Sequence, residues 1–225
     1  MSEVLLMLLP DARLPTGAHT QSAGLEQALR QGVSLADVPG YIRARLRTVV
    51  AVEAGAAVVA RHLVHHTSDR ELTQRLGQVE AAWRARTISP ALRENAEVLG
   101  RGYTRLVTGL WPDAAATRAL LGVRKPIRSV AVGVAGALAE LSAAQVARLI
   151  GYDDAQTVAA SVLKLEPLDP LVATGWVARA ADDIERMVTA VSPLTTISAI
   201  PAVAAPLIEQ WAQVHAATSQ RLFRA

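Results

Sequence analysis

The chain has 225 residues, enough for one large domain or two small ones. Hydrophobic residues make up 51% of it but aromatic ones only 4%, so its apolar matter is mostly alanine, valine and leucine, which suits closely packed helices. The absence of cysteine rules out disulfides and thiolate sites, and a net charge of +3 is too small an excess to imply nucleic acid.

The first apolar run, Val4 to Leu9, is too short for an export-signal core, follows Glu3 and lacks a basic leader. A cytoplasmic protein is the expectation. Residues 10–19 then form a stiff, sharply turned lead-in loop, marked by Pro10, Pro15 and Gly17. Beyond it, apolar residues recurring at three and four predict helices over 20–31, 36–65, 69–86, 90–110, 127–140, 143–151, 154–165, 170–190 and 203–218. Leu92, Ala96, Leu99, Tyr103, Leu106, Val107 and Leu110 trace one such face.

Start signals support these assignments. Ser68 with Glu71, and Ser142 with Gln145, have capping-box spacing, and Ser89-Pro90 and Asp169-Pro170 set a cap residue before a first-turn proline. Within 130–139, Ala131, Ala135 and Ala139 share a face smooth enough for a neighbouring helix to come unusually close. Glu53 and Glu140 interrupt the longest apolar stretches, so neither reads as a membrane span. The breaks at 111–113 and 122–126 are short, and no hairpin or repeat signal appears. The expectation is all-α: a single-domain bundle of about 8–10 helices over 1–225, with residues 219–225 as a tail ordered only on a partner.

Catalytic patterns are missing. There is no phosphate-binding GxxxxGK[ST], no GxGxxG after a strand, no HExxH and no GxSxG, so the reading is of a non-enzyme without cofactor or metal. Asp182-Asp183-Ile184-Glu185 looks like a magnesium site, but Arg186 occupies the place of a second carboxylate one turn away, which fits a solvated acidic face with an internal ion pair. Asp153-Asp154 reads as a helix-starting pair. His62, His65 and His66 have spacings that could hold an ion on one helix face, but lack further ligands. Arg84, Arg86, Arg93, Arg101 and Arg105 interleave with Glu94 and Glu97, and Arg93–Glu97 and Glu97–Arg101 are spaced to pair. Such a mixed face suits a protein partner better than DNA. Helix content and a high pI motivate the alternative, an all-α ligand-responsive DNA-binding regulator, for which the N-terminal region offers Arg43, Arg45 and Arg47 but no short turn between two helices.

The lead-in loop carries a resemblance. Leu14-Pro15-Thr16-Gly17-Ala18-His19, followed by Ser22-Ala23-Gly24-Leu25-Glu26, resembles the N-terminal signature of the urease accessory proteins of the UreF family. Residues 89–106, with Arg93, Glu94, Gly100 and Arg101, are similar to a second family segment. Residues 126–138, with Pro126 and Gly133, and residues 159–170 are similar to two more. Ala96, Ile127 and Lys164 depart from the family's serine, histidine and arginine, in the manner of a short, divergent actinobacterial form.

The resemblance implies an all-α homodimer that assists nickel insertion into urease apoprotein. It would bind the accessory protein UreD (UreH), recruit the GTPase UreG and gate its GTP hydrolysis, with no nucleic acid and no membrane involved. It implies partner-binding roles for Glu26, Arg93, Glu94 and Arg101, and loop-shaping roles for Pro15, Gly17 and Gly24.

Overall fold

A computed structural model describes residues 2–11, 13–17, 20–219, 222 and 223. Among them the structure is helical without strands. The helices are α1 (Ser2–Leu8), α2 (Leu25–Arg30), α3 (Val38–Arg47), α4 (Val49–His66), α5 (Asp69–Arg86), α6 (Pro90–Leu110), α7 (Ala115–Gly122), α8 (Arg128–Leu138), α9 (Ala143–Leu165), α10 (Pro170–Arg179), α11 (Ala181–Val191) and α12 (Pro206–Ala217).

The all-α reading holds, and α5 and α6 have the expected bounds. Elsewhere the divisions differ for physical reasons. The long helix expected over 36–65 breaks at Thr48, whose backbone leaves the helical region (φ −127°, ψ −102°) while its hydroxyl donates to the Ala44 carbonyl at 2.6 Å. Conversely, α9 runs unbroken across the gap expected at 152–153, so Asp153 and Asp154 lie in mid-helix and do not start one. The helix expected over 170–190 divides at Ala180. The short α1 and α7 escaped the periodicity because neither completes enough turns to show one.

Capping follows the sequence in part. Ser142 and Gln145 form a full capping box, each side chain bonded to the other's backbone N–H. Ser89 accepts from Leu92 N–H and Asp169 from Leu171 N–H. Ser68 departs from the pattern: its hydroxyl donates to the Glu71 carboxylate at 2.9 Å and caps no backbone N–H.

The centre of the bundle is the crossing of α4 and α8, with α9 also against α4, α6 across α8, and α5, α10 and α11 outside them. Every residue of α8 from Arg128 to Ala137 is buried. The small residues of 130–139 do allow close approach: a Cβ on Gly133 would stand 2.4 Å from the Ala57 carbonyl oxygen and 2.8 Å from the Ala60 Cβ. The run Leu35–His66 is long and apolar enough to cross a membrane, yet 56% of its most apolar window is buried by the other helices, as in a core helix.

Gly133→Ala should therefore push α4 and α8 apart and cost about 1–3 kcal/mol of stability. A urea unfolding midpoint equal to the wild type's would show that the two helices do not meet at this point.

Candidate functional site

Three structures bear on the sequence-predicted residues: a buried ion network, a notch around Glu26, and the outward face of α6.

The network sits where α3, α4, α8 and α9 converge. Arg45 donates to both carboxylate oxygens of Asp154 at 2.9 and 2.6 Å. Arg128, opening α8, reaches Glu53 at 2.7 Å and Asp153 at 2.5 Å. Both arginines are buried. Burial opposes their charge, but the facing carboxylates outweigh it and raise both above the usual guanidinium value. Asp153 is shifted up as well, first by burial and then by the nearby Asp154 and Glu53 charges, against the pull of Arg128. These groups line a cavity of about 90 Å³ together with Gln21 and Asn95.

From this network the positions of the lead-in residues follow. Arg45 also donates to the Ala23 carbonyl at 2.9 Å, and the Tyr41 hydroxyl donates to the same oxygen at 2.6 Å. Ala23 and Gly24 both have positive φ (53° and 81°), and a Cβ on Gly24 would lie 3.0 Å from the Tyr41 hydroxyl oxygen. Glycine is thus required where α2 begins, by conformation and by space. Gly17 has φ of 84° with open space around it, so its requirement is conformational alone. Pro15 is exposed in the turn before it. Ala18 and His19 lie outside the described residues.

Glu26 is placed differently from the sequence expectation. Only 2% exposed, it does not present its carboxylate outward. One oxygen accepts from Leu222 N–H and the other from Phe223 N–H, both at 2.9 Å, and Arg30 donates to it at 2.8 Å. His215, fully buried on α12, places Nε2 3.0 Å from the Phe223 carbonyl and 3.6 Å from Glu26. Lys164 lies over the Phe223 ring at 5.2 Å. Residues 222 and 223 of the expected partner-dependent tail are therefore seated in the chain's own fold; residues 220, 221, 224 and 225 lie outside the described ones. Consecutive amides gripping one carboxylate across 196 positions leave no sequence signal, because the donors are backbone groups.

On α6, the expected ladder of local ion pairs is replaced by longer connections. Glu97 pairs with Arg84 at 2.8 Å and Lys125 at 3.4 Å, and Arg84 also with Glu80. Arg93 donates to the Thr87 carbonyl at 2.6 Å, and Arg86 to the carbonyls of Ala82 and Ile200. Glu94, Arg101 and Arg105 are exposed and have no ion pair among the described residues. Two glycines flank Arg101. A Cβ on Gly100 would come within 2.0 Å of the Pro126 carbonyl oxygen, and one on Gly102 within 2.5 Å of the Thr16 carbonyl oxygen. The lead-in loop and the α7–α8 connector are thus both pressed onto α6, bringing three of the scattered landmark segments together.

The other candidates resolve structurally. Asp183 is buried, and Arg43, Arg47 and Arg186 surround it at 3.2, 3.5 and 2.6 Å; Glu185 pairs with Arg148. His62 stacks on His66 with ring centroids 4.2 Å apart, and burial followed by the neighbouring basic groups lowers His62 and His65 from their ordinary value. No group of three or more histidines and carboxylates suited to a metal occurs among the described residues.

The sequence profile of the UreF family matches residues 33–181. A Mycobacterium marinum protein named urease accessory protein UreF is 32% identical over 229 residues, covering 97% of both chains. The chain belongs to the UreF family. Its namesake from a Mycobacterium species is 36% identical over 186 residues, 80% of this chain and 82% of its own, and that of Mycobacterium tuberculosis is 31% identical over 99% and 98%. The profile match begins after the lead-in loop, so membership does not depend on the loop signature. These UreF relatives carry the name of an accessory protein and not of a catalyst.

Two outcomes test this geometry. Glu26→Ala should cost about 1.5–3 kcal/mol, the range for hydrogen bonds to a charged group, and should speed amide exchange at Leu222 and Phe223. Unchanged exchange there would show that the carboxylate does not hold the segment. Asp183 titrates below its ordinary 3.8: burial pushes it up, but hydrogen bonds from Arg186 and Arg43 outweigh that. Its contribution to stability is complete above the unfolded value and is lost as pH falls through the depressed one. Asp183→Asn should lower stability at pH 7 and flatten the acid decline below 3.8, as followed by urea titrations at several pH values.

Proposed function

We propose that this UreF-family chain is a non-enzymatic assembly chaperone for nickel insertion into urease, acting in the cytoplasm as a homodimer. In this reading it binds UreD (UreH), recruits the GTPase UreG, couples GTP hydrolysis to metal delivery, and brings both to urease apoprotein. The observation that carries it is relatedness over nearly the whole length to proteins named urease accessory protein. Agreeing with it is the way the lead-in loop is pinned to α6 beside the exposed Arg101. Glu94 and Arg101 would contact a partner directly. Arg93, bonded to Thr87, and Glu26, bonded to the C-terminal segment, would serve from behind by fixing the backbone next to the contact surface.

The DNA-regulator alternative loses its support in α3. Arg45 is buried on Asp154, and Arg43 and Arg47 are turned to Asp183, so the three cations face carboxylates of their own chain and not a groove.

Co-purification with UreD and UreG from the same source tests the reading. The chain should be retained by UreD, and the pair should then retain UreG. Capture of neither partner, singly or together, overturns it.

A further inference from the structure

The outward face of α6 has a construction that its surroundings do not otherwise explain. Successive helix residues turn by about 100°, so Gly100 and Gly102 lie on opposite flanks with Arg101 between them, pointing away from the buried Tyr103 and Val107. On one flank the Thr16 backbone, and on the other the Pro126 backbone, come closer than any side chain would permit. Here the two loops form walls and Arg101 stands in the floor, with Arg105 one turn further along the same stripe.

The charges around this floor are uneven. Asp11 is engaged by Arg13 at 2.6 Å, and Glu97 by Arg84 and Lys125. On α6 and the α7–α8 connector, the exposed charges without an ion pair among the described residues are Arg101, Arg105 and Arg124, against Glu94. A surface with this excess of unpaired guanidiniums complements carboxylates.

The geometry points to a docking surface for an acidic protein segment, seated on Arg101 and Arg105 between the lead-in loop and the α7–α8 connector. It deepens the partner reading above and rests on it for the identity of the protein that supplies the segment. Guanidinium–carboxylate contacts would orient that segment along α6, and their exposure makes the association sensitive to salt.

The test uses poly-L-glutamate as the acidic probe and the whole chain. Wild type should bind it at about 50 mM salt and release it at about 500 mM, where screening shortens the Debye length severalfold. Arg101→Glu with Arg105→Glu should weaken binding by at least about tenfold, the loss expected when steering charges are reversed. Reversing Arg70 and Arg75, two exposed cations of α5, should leave it within about twofold, since they lie outside the surface. Equal losses in both double variants, or no binding by wild type, would overturn the inference. If the charge reversal unfolds the chain, as judged by its thermal midpoint, the glutamine pair at 101 and 105 replaces it with the same expected loss. Probe binding with normal specificity but no capture of UreD or UreG would sink the partner identity while upholding the docking chemistry.

Discussion

The bidentate contact between Arg45 and Asp154 governs more of the molecule than its two residues suggest. It joins α3 to the middle of α9 at a buried point, and the guanidinium nitrogen left over holds the Ala23 carbonyl. That carbonyl closes the positive-φ turn from which α2 departs, and α2 sets Glu26 against the C-terminal segment. A buried ion pair contributes little net stability once desolvation is counted, but breaking it by removing one partner is costly. Its effect here is geometric: it selects one docking of α2 from the several that an apolar contact would tolerate.

The second pairing, Arg128 with Glu53 and Asp153, extends the same logic to the core. Arg128 stands at the first turn of the most deeply buried helix, and its partners lie on α4, packed against it, and on α9, which packs against α4. Because α8 is almost featureless, built from alanine, glycine and valine, it could slide or rotate against α4 at small cost. A charged contact at its start gives that smooth helix a register.

How far the sequence could be read follows from where the information resides. Helix type and the long elements were evident because three- and four-residue spacing is local, as was the Ser142–Gln145 cap. The role of Asp153 and Asp154 was not: adjacent acids look like a helix start, and only the arginines arriving from 109 and 25 positions away make mid-helix placement tolerable. Glu26 misled in the opposite sense. An acid after a glycine in a constrained loop reads as a presented group, while the amides that bury it are identical in every sequence. The lead-in loop was recognisable as constrained from Pro15, Gly17 and Gly24, but that it presses on Gly102 required the fold. A glycine two positions from another glycine is silent until something is found against each.

The embrace of Glu26 by Leu222 and Phe223 also has a consequence in time. During synthesis the carboxylate leaves the ribosome 196 residues before the first amide that will cover it. At 5–20 residues per second that interval is roughly 10–40 s. Until then α2 must persist with its acid solvated and its seat for Phe223 open, so the nascent chain holds a loosely closed N-terminal end. A segment made late in synthesis thus completes one made early.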